Sequence, residues 1–191
     1  MIFIASLGHI SGGHFNPAVT VGMFVAGAID LKKGLLYIIM QLIGGTMAAG
    51  IFRVSTSDKN HFYVYTFVFI GLALELLLTF VFVTVILLVS INNKSKSNFA
   101  PIYNGIALCV CILASNMLTG GSFNPARSLG PAIFANIWSH HYIYWIGPLI
   151  GGTIAGGFYR YAFISMIIIL SFEFSSRFLW GTNNSQSIDN N

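Results

Sequence analysis

Two octapeptides carry the chemistry of this chain. Ser11-Gly12-Gly13-His14-Phe15-Asn16-Pro17-Ala18 recurs as Thr119-Gly120-Gly121-Ser122-Phe123-Asn124-Pro125-Ala126, 108 residues later. Asparagine is a favoured N-cap, because its side-chain oxygen accepts from the free N–H groups of a first helical turn. Proline suits the first helical position, where its missing N–H is not needed. Asn16-Pro17-Ala18 and Asn124-Pro125-Ala126 therefore each read as the start of a helix, an end that carries roughly half a positive charge. The glycines before each motif permit strained backbone and close approach, so the carbonyls of Gly12, Gly13, His14, Gly120 and Ser122 can line a path. Two such ends facing one another inside a membrane would repel cations, hydronium included. A lone Asn-Pro is also a common turn dipeptide, but two inverted copies in membrane segments leave that reading little room.

Few other residues could do chemistry. Arg127 directly follows the second motif, and a charge inside a membrane segment is costly and points to function. Glu75 is the only acid within an apolar span, one turn before Thr79; it is expected to accept hydrogen bonds from the buried loop backbone rather than to relay protons. His9 and His14 are five apart and His140 and His141 adjacent, neither a metal-binding spacing on a helix. Cys109 and Cys111 are too close for ordinary disulfide geometry. Nine scattered Lys and Arg make no nucleic-acid patch. No cofactor, metal or catalytic residue is expected.

The elements that must position these residues follow from composition. Of the 191 residues 55% are hydrophobic and 7% charged, against about 25% charged in a soluble domain. Four stretches, about 34–52, 67–90, 102–118 and 142–163, are long enough to span a bilayer, which takes roughly 20 apolar residues. Residues 1–7 are too short to do so, have no basic flank or cleavage site of a signal peptide, and read as the middle of a membrane segment. Segments 8–28 and 119–135 are broken by Gly, Pro and Asn. The span after each motif also repeats: Tyr37, Leu42, Ile43, Gly44, Gly45, Thr46, Ala48 and Gly50 pair with Tyr144, Leu149, Ile150, Gly151, Gly152, Thr153, Ala155 and Gly157 at an offset of 107. Three spans separate the copies, so the second is inverted, and inverted repeats with interrupted helices point to a midplane site. The glycine pairs 44–45 and 151–152 are expected to allow close helix packing. Lys32, Lys33, Lys94, Lys96 and Arg160 outnumber Arg53 and Lys59 and mark the cytoplasmic side, where the sequon at Asn93 would be unused. Trp138, Tyr142, Tyr144 and Trp145, with His140 and His141 beside them, read as an interfacial belt.

In these residues the chain resembles the aquaporin, or major intrinsic protein, family over residues 1–163. The carriers are Ser-Gly-Gly-His-Phe-Asn-Pro-Ala-Val-Thr at 11–20 and Asn-Pro-Ala-Arg-Ser at 124–128. The resemblance implies an all-α membrane protein, an inverted repeat with two re-entrant half-helices, assembled as a homotetramer with one pore per subunit. It implies single-file water permeation, with Asn16 and Asn124 donating to passing water and Arg127 in the outer selectivity constriction. By position, Gly121 and Ile112 fall in the same filter, a wider and less polar pair than in many water-selective members and similar to the tonoplast-type and ammonia-permeable branch. Ser128, Ala132, Tyr144 and Trp145 resemble the water-type pattern. The resemblance also implies that the first span, most of the second and one filter residue are missing ahead of Met1, while 164–191 departs from it, an apolar extension past the family's usual end followed by an Asn/Ser-rich tail that reads as disordered. The expected function is a passive channel for water and small neutral solutes, ammonia or hydrogen peroxide among them, in contact with lipid and excluding ions. The rivals are a non-conducting truncated subunit or gene fragment, and an ion-coupled transporter, which would want more intramembrane carboxylates than Glu75.

Overall fold

The computed structural model describes residues 1–56, 68–92 and 95–163. The apolar extension and tail expected at 164–191, the sequon asparagine and Lys59 lie outside the described residues. In chain order the helices are α1 (Ile2–Ser11), α2 (Pro17–Val25), α3 (Leu31–Thr56), α4 (Val68–Ile86, continued as π-helix over Leu87–Ile91), α5 (Ala100–Thr119), α6 (Pro125–Ala135) and α7 (Ile143–Gly157, continued as π-helix over Phe158–Phe163).

Three of them, α3, α4 with its π-helical end, and α5, are long and apolar enough to cross a membrane, with mean hydropathies of 1.8, 2.8 and 1.6. The α-helical part of α7 has 15 residues and its π-helical continuation 6, together about 30 Å at 1.5 Å per residue, the thickness of a hydrocarbon core. The sequence placed this first span at 34–52, but α3 runs from Leu31 to Thr56. It starts earlier because Asp30 caps it, the Oδ1 accepting from Lys33 N–H at 2.9 Å. At its other end the polar residues after Phe52 still form helix, so hydropathy alone stops too soon. Large apolar side chains such as Phe69, Val110, Leu113 and Met117 point outward, as suits a molecule whose solvent is hydrocarbon.

The half-helices α2 and α6 are short, 9 and 11 residues. Each lies against the long helix of the opposite repeat: α2 on α7, and α6 on α3. The glycines of the repeated block make these crossings close. A Cβ on Gly45 would stand 2.6 Å from the Ala126 carbonyl oxygen, and one on Gly152 would collide with the Ala18 carbonyl oxygen in the matching place. Helix packing at backbone distance by small residues is the membrane solution where no hydrophobic force acts between helices. Gly151 and Gly147 do the same for α4, facing the Leu76 carbonyl and the Glu75 Cβ respectively. Gly44 departs from the expectation for its pair: no heavy atom lies within 4 Å of where its Cβ would be. The face of α3 that Gly44 occupies is uncovered among the described residues. The core where the two halves meet is formed by Val19, Met23, Val83, Leu87, Phe123 and Ala155.

Candidate functional site

The two loops that precede α2 and α6 adopt the same unusual backbone. Gly12, Gly13 and Phe15 have φ of 81°, 63° and 49°; Gly120, Gly121 and Phe123 have 75°, 59° and 53°. Left-handed φ is open to glycine and strained for phenylalanine. At Phe123 the strain is held by a buried carboxylate. Ser122 N–H donates to Glu75 Oε1 at 3.0 Å and Phe123 N–H to Oε2 at 2.7 Å. Glu75 is fully buried, and so is the Phe123 side chain. Tyr144 adds a third tie, its hydroxyl donating to the Thr119 carbonyl at 2.9 Å. Tyr144 therefore fastens the second loop, beyond the interfacial place the sequence suggested.

Each asparagine joins its own helix to the other loop. Asn16 Oδ1 accepts from Ala18 N–H at 2.8 Å, and its Nδ2 donates to the Phe123 carbonyl at 2.8 Å. Asn124 Oδ1 accepts from Ala126 N–H at 3.0 Å and Arg127 N–H at 3.3 Å, and its Nδ2 donates to the Phe15 carbonyl at 2.9 Å. The two half-helices thus meet N-terminus to N-terminus through a reciprocal clasp. Pro17, Ala18, Pro125 and Ala126 are buried at the two helix starts. An asparagine amide has two N–H donors; the clasp uses one of each pair.

Around the first motif lies a polar group of which the sequence singled out only His14 as a site residue. Thr20, fully buried, donates its hydroxyl to the Asn16 carbonyl at 3.1 Å and accepts from Gln41 Nε2 at 2.9 Å. Its oxygen also sits 3.1 Å from His14 Nδ1. With the single hydroxyl proton on Asn16, His14 Nδ1 is the donor and Nε2 is left as an acceptor. The His14 ring stands edge-on to Tyr37, with centroids 5.3 Å apart. In the second repeat Ser122 and Ser128 occupy the equivalent positions, and their hydroxyls bond each other. The signal was present in the sequence: Thr20 and Ser128 are themselves 108 residues apart.

The residues expected in the constriction lie beside the second motif in two separate contacts. Arg127 is exposed, and its Nη2 donates to the Gly120 carbonyl at 3.3 Å. Gly121 packs on Ile112, whose Cα would stand 3.1 Å from a Cβ placed on the glycine. Of the residues expected to offer carbonyls, Gly12 is exposed, His14 and Gly120 are half-buried, and Gly13 and Ser122 are buried. A mostly apolar cavity of about 600 Å³ reaches from His14, Tyr37 and Gln41 past Phe15 and Asn124 to Arg127. No group of three or more His, Cys, Asp or Glu that could hold a metal occurs among the described residues. The arrangement offers fixed dipoles, one cation and amide donors, in a setting for selecting molecules rather than transforming them.

Comparison with known proteins bears on this geometry. The family model described as major intrinsic protein matches residues 1–159. Aquaporin TIP1-1 of Zea mays is 42% identical over 171 residues, covering 86% of this chain and 68% of that protein. Aquaporin-4 of Bos taurus is 40% identical over 168 residues, covering 84% of this chain and 52% of its own length. Among solved structures, the aquaglyceroporin from Plasmodium falciparum superposes with a TM-score of 0.70 at 23% identity, covering 85% of this chain and 77% of that one, a likeness of fold.

Proposed function

The chain belongs to the major intrinsic protein family, the aquaporins, and we infer that the junction of its two half-helices is the selective point of a passive membrane channel. It is an integral, multi-pass membrane protein and a channel for water and small solutes, not an enzyme. The single observation that carries the site reading is the reciprocal clasp of Asn16 on the Phe123 carbonyl and Asn124 on the Phe15 carbonyl.

The clasp leaves one N–H on each asparagine for a passing molecule. A water oxygen at the junction accepts from both, so its own protons point outward toward opposite ends, and a proton relay through it is broken. The two helix N-termini add a positive field that a cation meets at the same place. Arg127, held on the Gly120 carbonyl, adds a charge at the outer constriction. Neutral molecules that accept hydrogen bonds pass; hydronium and metal cations do not.

The finer reading concerns solute breadth. Gly121 and Ile112 give the constriction no cysteine and no histidine, so it is wide and poor in polar partners. This supports passage of ammonia and hydrogen peroxide beside water. The subunit is taken to act in a homotetramer, with lipid covering its outer apolar face. The experiment is reconstitution into vesicles, with shrinkage after an osmotic step read by light scattering and ammonia entry read by an internal pH dye. Permeabilities above those of empty vesicles for both solutes support the reading. Ammonia entry at the empty-vesicle rate, with water permeability raised, removes the broad-solute part and leaves a water channel.

A further inference from the structure

The far ends of the two half-helices are closed by a matching device that the pore itself does not use. In the last turn of α2, the amides of Ala26, Gly27 and Ala28 take the carbonyls of Gly22, Phe24 and Met23. The Val25 carbonyl receives Arg160 Nη1 at 3.3 Å. In the last turn of α6, the amides of Asn136 and Ile137 take the carbonyls of Ile133 and Ala132. The Phe134 carbonyl receives Arg53 Nη1.

These arginines are not local caps. Neither half-helix has a basic residue in its own last turn. Arg53 belongs to α3, in the first repeat, and reaches α6 of the second. Arg160 belongs to the continuation of α7, in the second repeat, and reaches α2 of the first. The two positions are 107 residues apart, the offset of the repeated glycine block. Arg160 also lies over the Tyr161 ring, 5.6 Å from its centroid. Its guanidinium rests on Gly27, with Nη1 3.6 Å from where a Cβ would stand. Gly27 has φ of 79°, so a side chain there would be strained as well as crowding the arginine.

A helix C-terminus carries roughly half a negative charge and leaves carbonyls unpaired. At about 1.5 Å per residue, α2 and α6 place those ends about 14 and 17 Å from the Asn-Pro-Ala junction. We propose that Arg53 and Arg160 are a pseudo-symmetric pair of positioning residues: each anchors the far end of the other repeat's half-helix and neutralises its negative pole. The anchoring fixes the depth at which each asparagine sits. The neutralisation leaves the positive poles at the junction unopposed, which strengthens cation exclusion without touching the path of water. The role in exclusion rests on the channel reading; the anchoring does not.

The test uses the full chain in vesicles, with Arg53→Ala and Arg160→Ala singly and together, the corresponding Lys and Gln variants, and Lys96→Ala as a control for net charge. Proton leak is measured relative to osmotic water permeability in the same vesicles. The alanine and glutamine variants are expected to raise that ratio three-fold to ten-fold, the lysine variants to return it toward wild type, and Lys96→Ala to leave it unchanged. A second readout needs no conduction: amide hydrogen exchange at 26–28 and 136–137 is expected to speed up at least five-fold when the arginine facing that end is lost. If alanine variants do not insert, the glutamine variants, which keep a donor without the charge, give both readouts. Unchanged leak ratio in a conducting protein, or unchanged exchange at both ends, overturns the pair. Absence of water permeability in wild type would instead fail the channel reading, and the exchange measurement would then decide the anchoring alone.

Discussion

Glu75 is the residue on which the second loop depends. Its carboxylate is fully buried and takes two backbone N–H groups that have no other acceptor in that loop turn. A buried donor left unpaired costs about 1–3 kcal/mol, so Glu75→Ala is expected to lower thermal stability in detergent and to lose water permeability, while Glu75→Gln, which keeps one acceptor, is expected to fall between. Wild-type melting in Glu75→Ala would contradict this. A second prediction concerns His141, which lies just outside α7. Burial lowers its pKa from 6.5, and its Nε2 is buried without a hydrogen-bond partner beside Trp138 and Tyr144. A histidine with a depressed folded pKa binds its proton more readily in the unfolded chain, so its contribution to stability is present near neutrality and is lost as pH falls below about 6.5. Lowering pH from 7 to 5 should therefore lower the melting temperature of wild type more than that of His141→Phe. Equal pH slopes would refute it.

At the scale of elements, the repeat is visible in the sequence and its consequences are not all symmetric. The half-helix starts were legible because Asn and Pro have local reasons to sit at a helix N-terminus, and the structure shows both caps made by the asparagine side chain. The arginine ends were not legible, because Arg53 and Arg160 act on carbonyls 81 and 135 residues away. Tyr144 was read by its amphipathic type as an interfacial residue; its bond to the Thr119 carbonyl depends on where α5 ends, which no local pattern encodes. The glycine pairs illustrate the same limit. Gly151 and Gly44 hold equivalent places in the repeat, yet Gly151 lies on the α4 backbone and Gly44 meets nothing within 4 Å. In the 191-residue chain, Gly151→Leu should therefore abolish stable insertion or lower the melting temperature by several degrees, while Gly44→Leu should leave it within about a degree. Equal damage from both would show that α3 is covered in the membrane.

The whole molecule is built so that two weak elements share one strong position. Neither α2 nor α6 is long enough to cross, but end to end their 9 and 11 residues give about 30 Å, the thickness of the hydrocarbon core. Irregular backbone at that depth is tolerated only where protein or a cavity satisfies it, and here the asparagine clasp, Glu75 and the Thr20 group do so. The width of the proposed filter belongs to this scale, because Ile112 on α5 meets Gly121 on the loop before α6. Ile112→His should lower ammonia permeability several-fold relative to water; an unchanged ratio would place the selecting point elsewhere. The central claim is that the junction passes neutral molecules and refuses protons. Its most direct test is simultaneous measurement of osmotic water flux and proton flux in vesicles holding the purified protein. The account predicts water permeability well above that of empty vesicles with proton flux indistinguishable from them. Proton flux rising in step with water flux, or no water flux beyond the lipid's own, would contradict it.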